Sequence, residues 1–137
     1  MRFETKEDKL REQKAIQSFV NMFNGSYKIL GENDIDYKVF DSSDKLIAYA
    51  EIKGRLRSMS EAFPLPVAAR KLVKLSDKRL NPVMVWACFD GIIYCKVLDL
   101  KGVLKWGGRE KRIHSYNDEE LMVYFDKKDC PFKFIEY

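Results

Sequence analysis

Histidine and paired cysteine are scarce in this chain of 137 residues. His114 is the single histidine, which excludes chemistry built on two or more histidines. Cys88, Cys95 and Cys130 are odd in number, and no two of them form a Cys-x-x-Cys pair. We therefore expect neither a structural zinc site nor a disulfide framework, and no disulfide-linked partner. Cys88 and Cys95 sit in apolar runs, where a thiol usually serves as a small core residue.

Long hydrophobic runs are also missing. Runs such as residues 83–89 are far shorter than the roughly 20 apolar residues that span a bilayer. Residues 1–8 are charged and lack the apolar stretch of a signal peptide. We expect an intracellular protein of the cytoplasm with no membrane partner.

The charge balance is mildly basic. Lysine and arginine number 25 against 21 aspartate and glutamate, which leaves a formal net charge of +4. This net charge permits a polyanionic partner but does not require one, because binding of a polyanion depends on where the basic residues cluster. A hydrophobic content of 46% is typical of a chain that folds, and residues 1–137 are predicted to form a single domain.

Thr5 and Asp8 predict the start of a helix, as a variant of the capping box. Apolar residues at helical spacing then extend the helix to about residue 23. Glu12 lies four residues before Ile16, which places it on the apolar stripe of this helix. The stripe consists of Ile16, Phe19, Val20 and Phe23.

The rest of the chain indicates an α/β fold around a mixed sheet. Residues 46–53 are apolar up to Glu51, which is typical of a central strand covered on both faces. Asp90 and Gly91 are a strong hairpin signal. The predicted elements are a hairpin of strands 35–40 and 45–52, a helix at 67–80, strands at 83–89, 92–98, 121–125 and 132–135, and an exposed basic loop at 105–112.

Glu51 and Lys53 end a run of apolar strand residues, unlike the other Glu-x-Lys pairs, which lie in the charged first helix. The period of two in a strand places both side chains on one face of the sheet. Charged side chains are rarely buried there unless they are paired or bind a metal. The alternative is an ordinary cross-strand salt bridge at a sheet edge.

The predicted hairpin supplies a second carboxylate. If residues 42–43 form a two-residue turn, Asp36 pairs opposite Tyr49 and shares a face with Glu51, while Asp34 lies directly opposite Glu51. A one-residue change in the loop would alter this parity, so the choice between the two aspartates stays open. Two converging carboxylates favour Mg²⁺, for which Mn²⁺ can substitute.

Asp36 is followed fifteen residues later by Glu51-Ile52-Lys53, and the preceding helix carries Glu12. In these features the chain resembles the PD-(D/E)XK nuclease superfamily. The likeness covers residues 8–98 and is closest to small phage-encoded members and archaeal Holliday-junction resolvases. It implies a restriction-endonuclease-like αβββαβ core, here with extra C-terminal strands, and a Mg²⁺-dependent deoxyribonuclease of DNA processing, recombination or repair. Relatives of this kind often act as homodimers.

The resemblance also implies roles for single residues. Asp36, Glu51 and the backbone carbonyl of Ile52 would bind the metal, and Lys53 would position the nucleophilic water. Glu12 would assist the metal or its waters. Lys71 would be the accessory basic residue of the family, with Arg70 as the nearby alternative.

Basic side chains beyond the site predict contact with DNA, because they neutralise phosphates and an indole can stack on a base. The predicted second helix carries five basic residues and one acid. The segment 105–112, which contains Trp106, resembles a segment of the phage-type members of the superfamily. The residues assigned to nucleic-acid binding are Arg55, Arg70, Lys71, Lys74, Lys78, Trp106, Arg109, Lys111 and Arg112. The alternative is an inactive nuclease-fold protein that binds nucleic acid or assembles a complex.

Overall fold

The computed structural model describes residues 5–31, 34–108 and 119–137. In chain order the described elements are α1 (Lys6–Asn21), β1 (Ser26–Ile29), β2 (Tyr37–Phe40), β3 (Leu46–Gly54), β4 (Leu65–Ala68), α2 (Ala69–Lys74), β5 (Pro82–Ala87), β6 (Gly91–Lys96), β7 (Val103–Gly108), β8 (Glu119–Phe125) and β9 (Lys133–Glu136). The predicted α/β class with a mixed sheet is confirmed.

Helix α1 begins where its capping residues predict. The Thr5 hydroxyl accepts the Asp8 N–H at 3.1 Å, and the Asp8 carboxylate accepts the Thr5 N–H at 3.0 Å. This reciprocal pair is a capping box. Ile16, Phe19 and Val20 are buried against the large sheet, as their spacing predicts.

The large sheet has the strand order β1-β2-β3-β5-β6-β9. All neighbours are antiparallel except β3 and β5, which are parallel. The hairpins β2–β3 and β5–β6 confirm the sequence-based expectation. Strand β1 was not predicted, because it is only four residues long, lies at the sheet edge and is mostly exposed.

A second, antiparallel sheet has the order β4-β8-β7. The predicted helix at 67–80 is wrong over most of its length. Strand β4 occupies its start, because it pairs with β8, and α2 ends at Lys74. Asp77 then caps a separate 3₁₀ turn, Lys78–Leu80. Val73, an apolar residue of α2, is 72% exposed.

The predicted basic loop at 105–112 is partly wrong as well. Lys105 and Trp106 lie on strand β7, which pairs with β8 along the edge of the small sheet. Arg109, Lys111 and Arg112 lie outside the described residues, as does His114.

The core has two parts, one on each face of the large sheet. Helix α1 covers one face. The small sheet covers the other, where Trp86 and Phe125 meet edge to face and the Trp86 indole donates a hydrogen bond to the Pro66 carbonyl at 3.1 Å. Cys88 and Cys95 are buried in this second part, as predicted, and the three thiols are free. Within the described residues, no helix is long and apolar enough to cross a membrane.

Candidate active site

The register of the β2–β3 hairpin brings Asp36 next to Glu51. The prediction that Asp36 lies opposite Tyr49 is wrong, because Lys38 has that position and Tyr37 pairs with Ala50. Asp36 directly precedes Tyr37 and Glu51 directly follows Ala50, so the two acids meet where the ladder ends. Both remain on one face, because the shift amounts to two residues.

Two local features produce this shift. The Asp41 carboxylate accepts the N–H groups of Ser43 and Lys45 at 2.8 and 3.0 Å, which holds a three-residue loop in place of the predicted two-residue turn. A β-bulge then places Ile47 as an extra residue on β3, between the Val39 and Phe40 pairs. Each feature moves the register by one residue.

The Glu51 carboxylate is bound to the backbone of Asp36, and the Asp36 carboxylate is bound to the backbone of Ile52. The Asp36 N–H donates to Glu51 Oε1 at 3.2 Å, and the Ile52 N–H donates to Asp36 Oδ2 at 2.9 Å. Glu51 is buried, with an exposed fraction of 3%. Asp34, the alternative that the sequence left open, is exposed. Of the two aspartates, Asp36 therefore lies beside Glu51.

Two lysines of α2 form ion pairs with Glu51. Lys71 Nζ lies 3.6 Å from Glu51 Oε2, and Lys74 Nζ lies 3.4 Å from Glu51 Oε1. Both lysines are among the residues assigned to nucleic-acid binding, and the structure places them against the buried Glu51 carboxylate. Residues three apart share one side of a helix, and here that side is turned toward the buried carboxylate.

Burial and charge repulsion act together on Asp36. Burial, followed by the neighbouring Glu51 carboxylate, raises the pKa of Asp36 to about 6. The Ile52 N–H and the charges of Lys71 and Lys74 oppose this rise without cancelling it. The Asp36 carboxyl therefore binds a proton more readily than an exposed aspartate does.

Lys53 lies on the same face of β3 as Glu51. Alternate residues of this strand pack on different parts of the core, with Tyr49 on the side of the small sheet and Ala50 and Ile52 on the side of α1. Lys53 follows Tyr49 and Glu51 in this alternation and is half-buried.

Glu12 lies on α1, which covers the face of the large sheet opposite to the face that carries Glu51. It accepts a hydrogen bond from the Tyr37 hydroxyl; burial and then Glu12 raise the pKa of Tyr37. Glu12, Tyr37 and Asp36 all line a cleft of about 460 Å³, together with Lys9 and Gly31. Among the described residues, no three His, Cys, Asp or Glu side chains are grouped closely enough to hold one metal ion. Glu12 is therefore at the cleft but not grouped with Asp36 and Glu51.

The remaining basic residues are spread around the site. Arg55 donates to the carbonyls of Ala62 and Pro64 at 2.9 and 3.3 Å, so its guanidinium braces a loop. Arg70 pairs with Glu120. Lys78 and Trp106 are exposed. Sequence reasoning missed exposed Arg57, although its position just beyond Lys53 was a usable signal.

No family model, curated protein or solved structure matches this chain. Its chemistry is therefore argued from the site. Asp36 and Glu51 offer hard oxygen atoms to a divalent cation. Lys53, Lys71 and Lys74 supply positive charge on the same side of the sheet.

Proposed function

We propose that the protein is a metal-dependent nuclease that hydrolyses phosphodiester bonds in DNA, with a role in DNA processing, recombination or repair. The observation that carries the proposal is the convergence of the Asp36 and Glu51 carboxylates from adjacent strands, on the face that also holds Lys53. Phosphate transfer needs positive charge at an anionic phosphate and a positioned water, and this residue set can supply both.

The order of elements supports the proposal. Helix α1, the antiparallel strands β1, β2 and β3, helix α2 and the parallel strand β5 occur in this order along the chain, with β4 of the small sheet inserted between β3 and α2. Apart from that inserted strand, the order is the αβββαβ order that the resemblance to the PD-(D/E)XK superfamily implies. Asp36 directly precedes the second of the three antiparallel strands, and Glu51 and Lys53 lie on the third.

The residues present fit Mg²⁺ or Mn²⁺. Asp36 and Glu51 contribute carboxylate oxygens. A strand residue directs its N–H and C=O to the same side, so the Ile52 carbonyl faces the side to which its N–H reaches Asp36. Mg²⁺ usually retains several waters, and two carboxylates with one carbonyl suffice for such a site. A cation at this position would favour the ionised form of Asp36, which burial and the Glu51 carboxylate disfavour by raising its pKa.

Each side chain has a role in the proposed reaction. A divalent cation held by Asp36 and Glu51 would supply Lewis-acid chemistry at a phosphate oxygen. Lys53 would orient the attacking water, whose oxygen forms a bond to phosphorus as the bond from phosphorus to the leaving sugar oxygen breaks; the water loses a proton to solvent, and the leaving oxygen takes one from solvent. Lys71 and Lys74 stabilise the negative charge that grows on the phosphate.

The test is cleavage of labelled linear duplex, single-stranded, flap and four-way-junction DNA with Mg²⁺, Mn²⁺ or EDTA. We expect metal-dependent cleavage that is lost in Asp36→Asn, Glu51→Gln and Lys53→Ala. Asp34→Asn is the matched control, because Asp34 is two residues from Asp36 and exposed, so it should retain full activity. Cleavage by Glu51→Gln and Lys53→Ala at the wild-type rate would refute the proposal.

The second candidate is a protein of the same fold that binds DNA without cutting it. The ion pairs of Glu51 with Lys71 and Lys74 favour it, because they neutralise the carboxylate without a metal. Isothermal titration with Mn²⁺ separates the two: a nuclease binds the ion through Asp36 and Glu51, whereas a binding module shifts DNA and takes up no ion there.

A further inference from the structure

Strands β3 and β5 continue side by side beyond their last ladder pair, Gly54 and Ala87. The Arg55 N–H donates to the Ala87 carbonyl at 2.8 Å, and the Phe89 N–H donates to the Arg57 carbonyl at 2.9 Å. Two short segments are thus held together at the end of the sheet that carries the candidate active site.

Two large apolar side chains are exposed on these segments. Leu56 is two residues beyond Gly54 and 49% exposed, and Phe89 is two residues beyond Ala87 and 62% exposed. We refer to them as the Leu56–Phe89 ridge. Ala87 and Cys88, which directly precede Phe89, are buried, so the change from core to exposed apolar surface is abrupt.

Positive charge accompanies the ridge. Arg57 follows Leu56 and is exposed, and its charge is close enough to Arg55 to lower the pKa of that residue, after burial. Asp90 is the acidic neighbour, and its Oδ1 accepts the Met59 N–H at 2.8 Å. An exposed aromatic side chain can stack on a nucleobase, and an arginine beside it can bind the phosphates of the DNA backbone.

The ridge lies at the same end of the sheet as the candidate active site. Lys53 pairs with Trp86, one residue before the ends of β3 and β5, and the two segments that carry the ridge begin directly after those ends.

We propose, on the premise that the protein is the nuclease argued above, that the Leu56–Phe89 ridge stacks on an unpaired base of the DNA that is bound at the candidate active site. In a continuous duplex both faces of each base are covered by its neighbours, so extrusion costs unstacking energy. The substrate is therefore DNA with a frayed end, a flap or a branch.

The experiment measures binding in EDTA, so that no cleavage occurs. Fully paired DNA and DNA with a splayed end each carry 2-aminopurine at the terminal position, and fluorescence quenching reports stacking. We expect wild-type protein to prefer splayed DNA and to quench its 2-aminopurine. Phe89→Ala should bind splayed DNA roughly 5- to 150-fold more weakly, the range for loss of one stacked base, while Phe89→Tyr keeps the stacking.

Leu56→Ala, which removes the other side chain of the ridge, should also weaken the binding of splayed DNA, and Leu98→Ala is its control. Leu98 is 68% exposed and follows β6, at the opposite end of the sheet. A Phe89→Ala protein that binds and quenches splayed DNA as wild type does would overturn the ridge proposal and leave the nuclease intact. If wild-type protein neither binds nor cleaves any DNA, the proposed function itself fails, and this inference with it.

Discussion

Asp36 and Glu51 stand close together although both are acids and Glu51 is almost completely buried. Two ionised carboxylates in one partly buried site repel each other, which destabilises the folded protein unless a cation lies between them. The raised pKa of Asp36 expresses this repulsion together with the cost of burial. A chain selected for stability alone would gain by replacing one of the acids, which is consistent with a functional role.

Asp36→Asn should therefore stabilise the protein in the absence of metal. The asparagine Oδ1 can still accept the Ile52 N–H, and the repulsion is gone. In wild type the folded state holds the Asp36 proton up to a pKa of about 6, against 3.8 for the ordinary side chain. Stability is thus lost as pH rises through that window. Well above pH 6 in EDTA, we expect a gain of roughly 1–3 kcal/mol in the free energy of unfolding.

Urea denaturation of the two proteins across this pH range checks the expectation. The difference should shrink as the pH falls from 6 toward 3.8, and Asp34→Asn should show no such dependence. If Asp36→Asn has a lower free energy of unfolding than wild type at high pH, the Asp36 carboxylate stabilises the fold and the expectation is wrong.

Lys71 and Lys74 form the reported ion pairs with Glu51, so their joint removal should destabilise the fold. The double variant Lys71→Ala/Lys74→Ala leaves Glu51 buried without these partners, which costs about 1–3 kcal/mol after allowance for the partial exposure of both lysines. Each single variant should cost less than half of this. Thermal denaturation measures the effect, with the exposed Lys78→Ala as the control. Mg²⁺ should raise the melting temperature of the double variant more than that of wild type.

At the scale of elements, the β2–β3 loop determines which residues meet. Its Asp41 carboxylate holds two N–H groups, and the loop supplies one of the two register steps that bring Asp36 to Glu51. The loop therefore contributes to the geometry of the candidate active site without touching it.

Asp41→Ala should lower the free energy of unfolding by about 1–3 kcal/mol, because it frees two N–H groups from a charged acceptor. It should also reduce DNA cleavage at a temperature where the variant is still folded. Asp44 has a positive φ of 61° in the same loop. Asp44→Gly should be neutral or stabilising there, so it is the matched control in both denaturation and cleavage assays.

Local signals explain which elements could be predicted from the sequence. The capping pair Thr5 and Asp8, the apolar run of β3 and the Asp90-Gly91 turn act over a few residues, and the corresponding elements were predicted correctly. Strands β4 and β7 could not be predicted, because each depends on pairing with β8, which is distant in sequence from β4. In the absence of that partner, the periodicity of residues 67–80 indicates a helix.

The candidate site divides in the same way. Glu51 and Lys53 were recognised from strand context, because alternation is a local property. The choice of Asp36 over Asp34 depended on loop length and on the bulge at Ile47, which the sequence did not reveal. The contact of Lys71 and Lys74 with Glu51 depends on where α2 begins. It could not be predicted, because the sequence indicated a longer helix that begins at residue 67.

At the scale of the whole molecule, the two sheets share one of the two parts of the core. Trp86 belongs to the large sheet, and it contacts Phe125 of the small sheet and donates to the Pro66 carbonyl next to Leu65. A layer that buries side chains of both sheets couples their stability. Neither sheet should therefore unfold without the other.

Single-tryptophan variants test this coupling. Trp106→Phe leaves Trp86 as the reporter of the large sheet, and Trp86→Phe leaves Trp106 as the reporter of the small sheet. Within each variant, we expect the urea transition seen by fluorescence to coincide with that seen by far-UV circular dichroism. An earlier transition for Trp106 than for the circular dichroism of the same variant would show that the small sheet opens first.

The arrangement of α2 has a consequence for the protein during its synthesis. The helix that delivers Lys71 and Lys74 leaves strand β4, which pairs with β8, and its Arg70 pairs with Glu120. A nascent chain from which β8 has not yet emerged already contains Asp36 and Glu51 but lacks the strand that anchors their lysines. Assembly of the carboxylates with their two lysines therefore waits until β8 has left the ribosome.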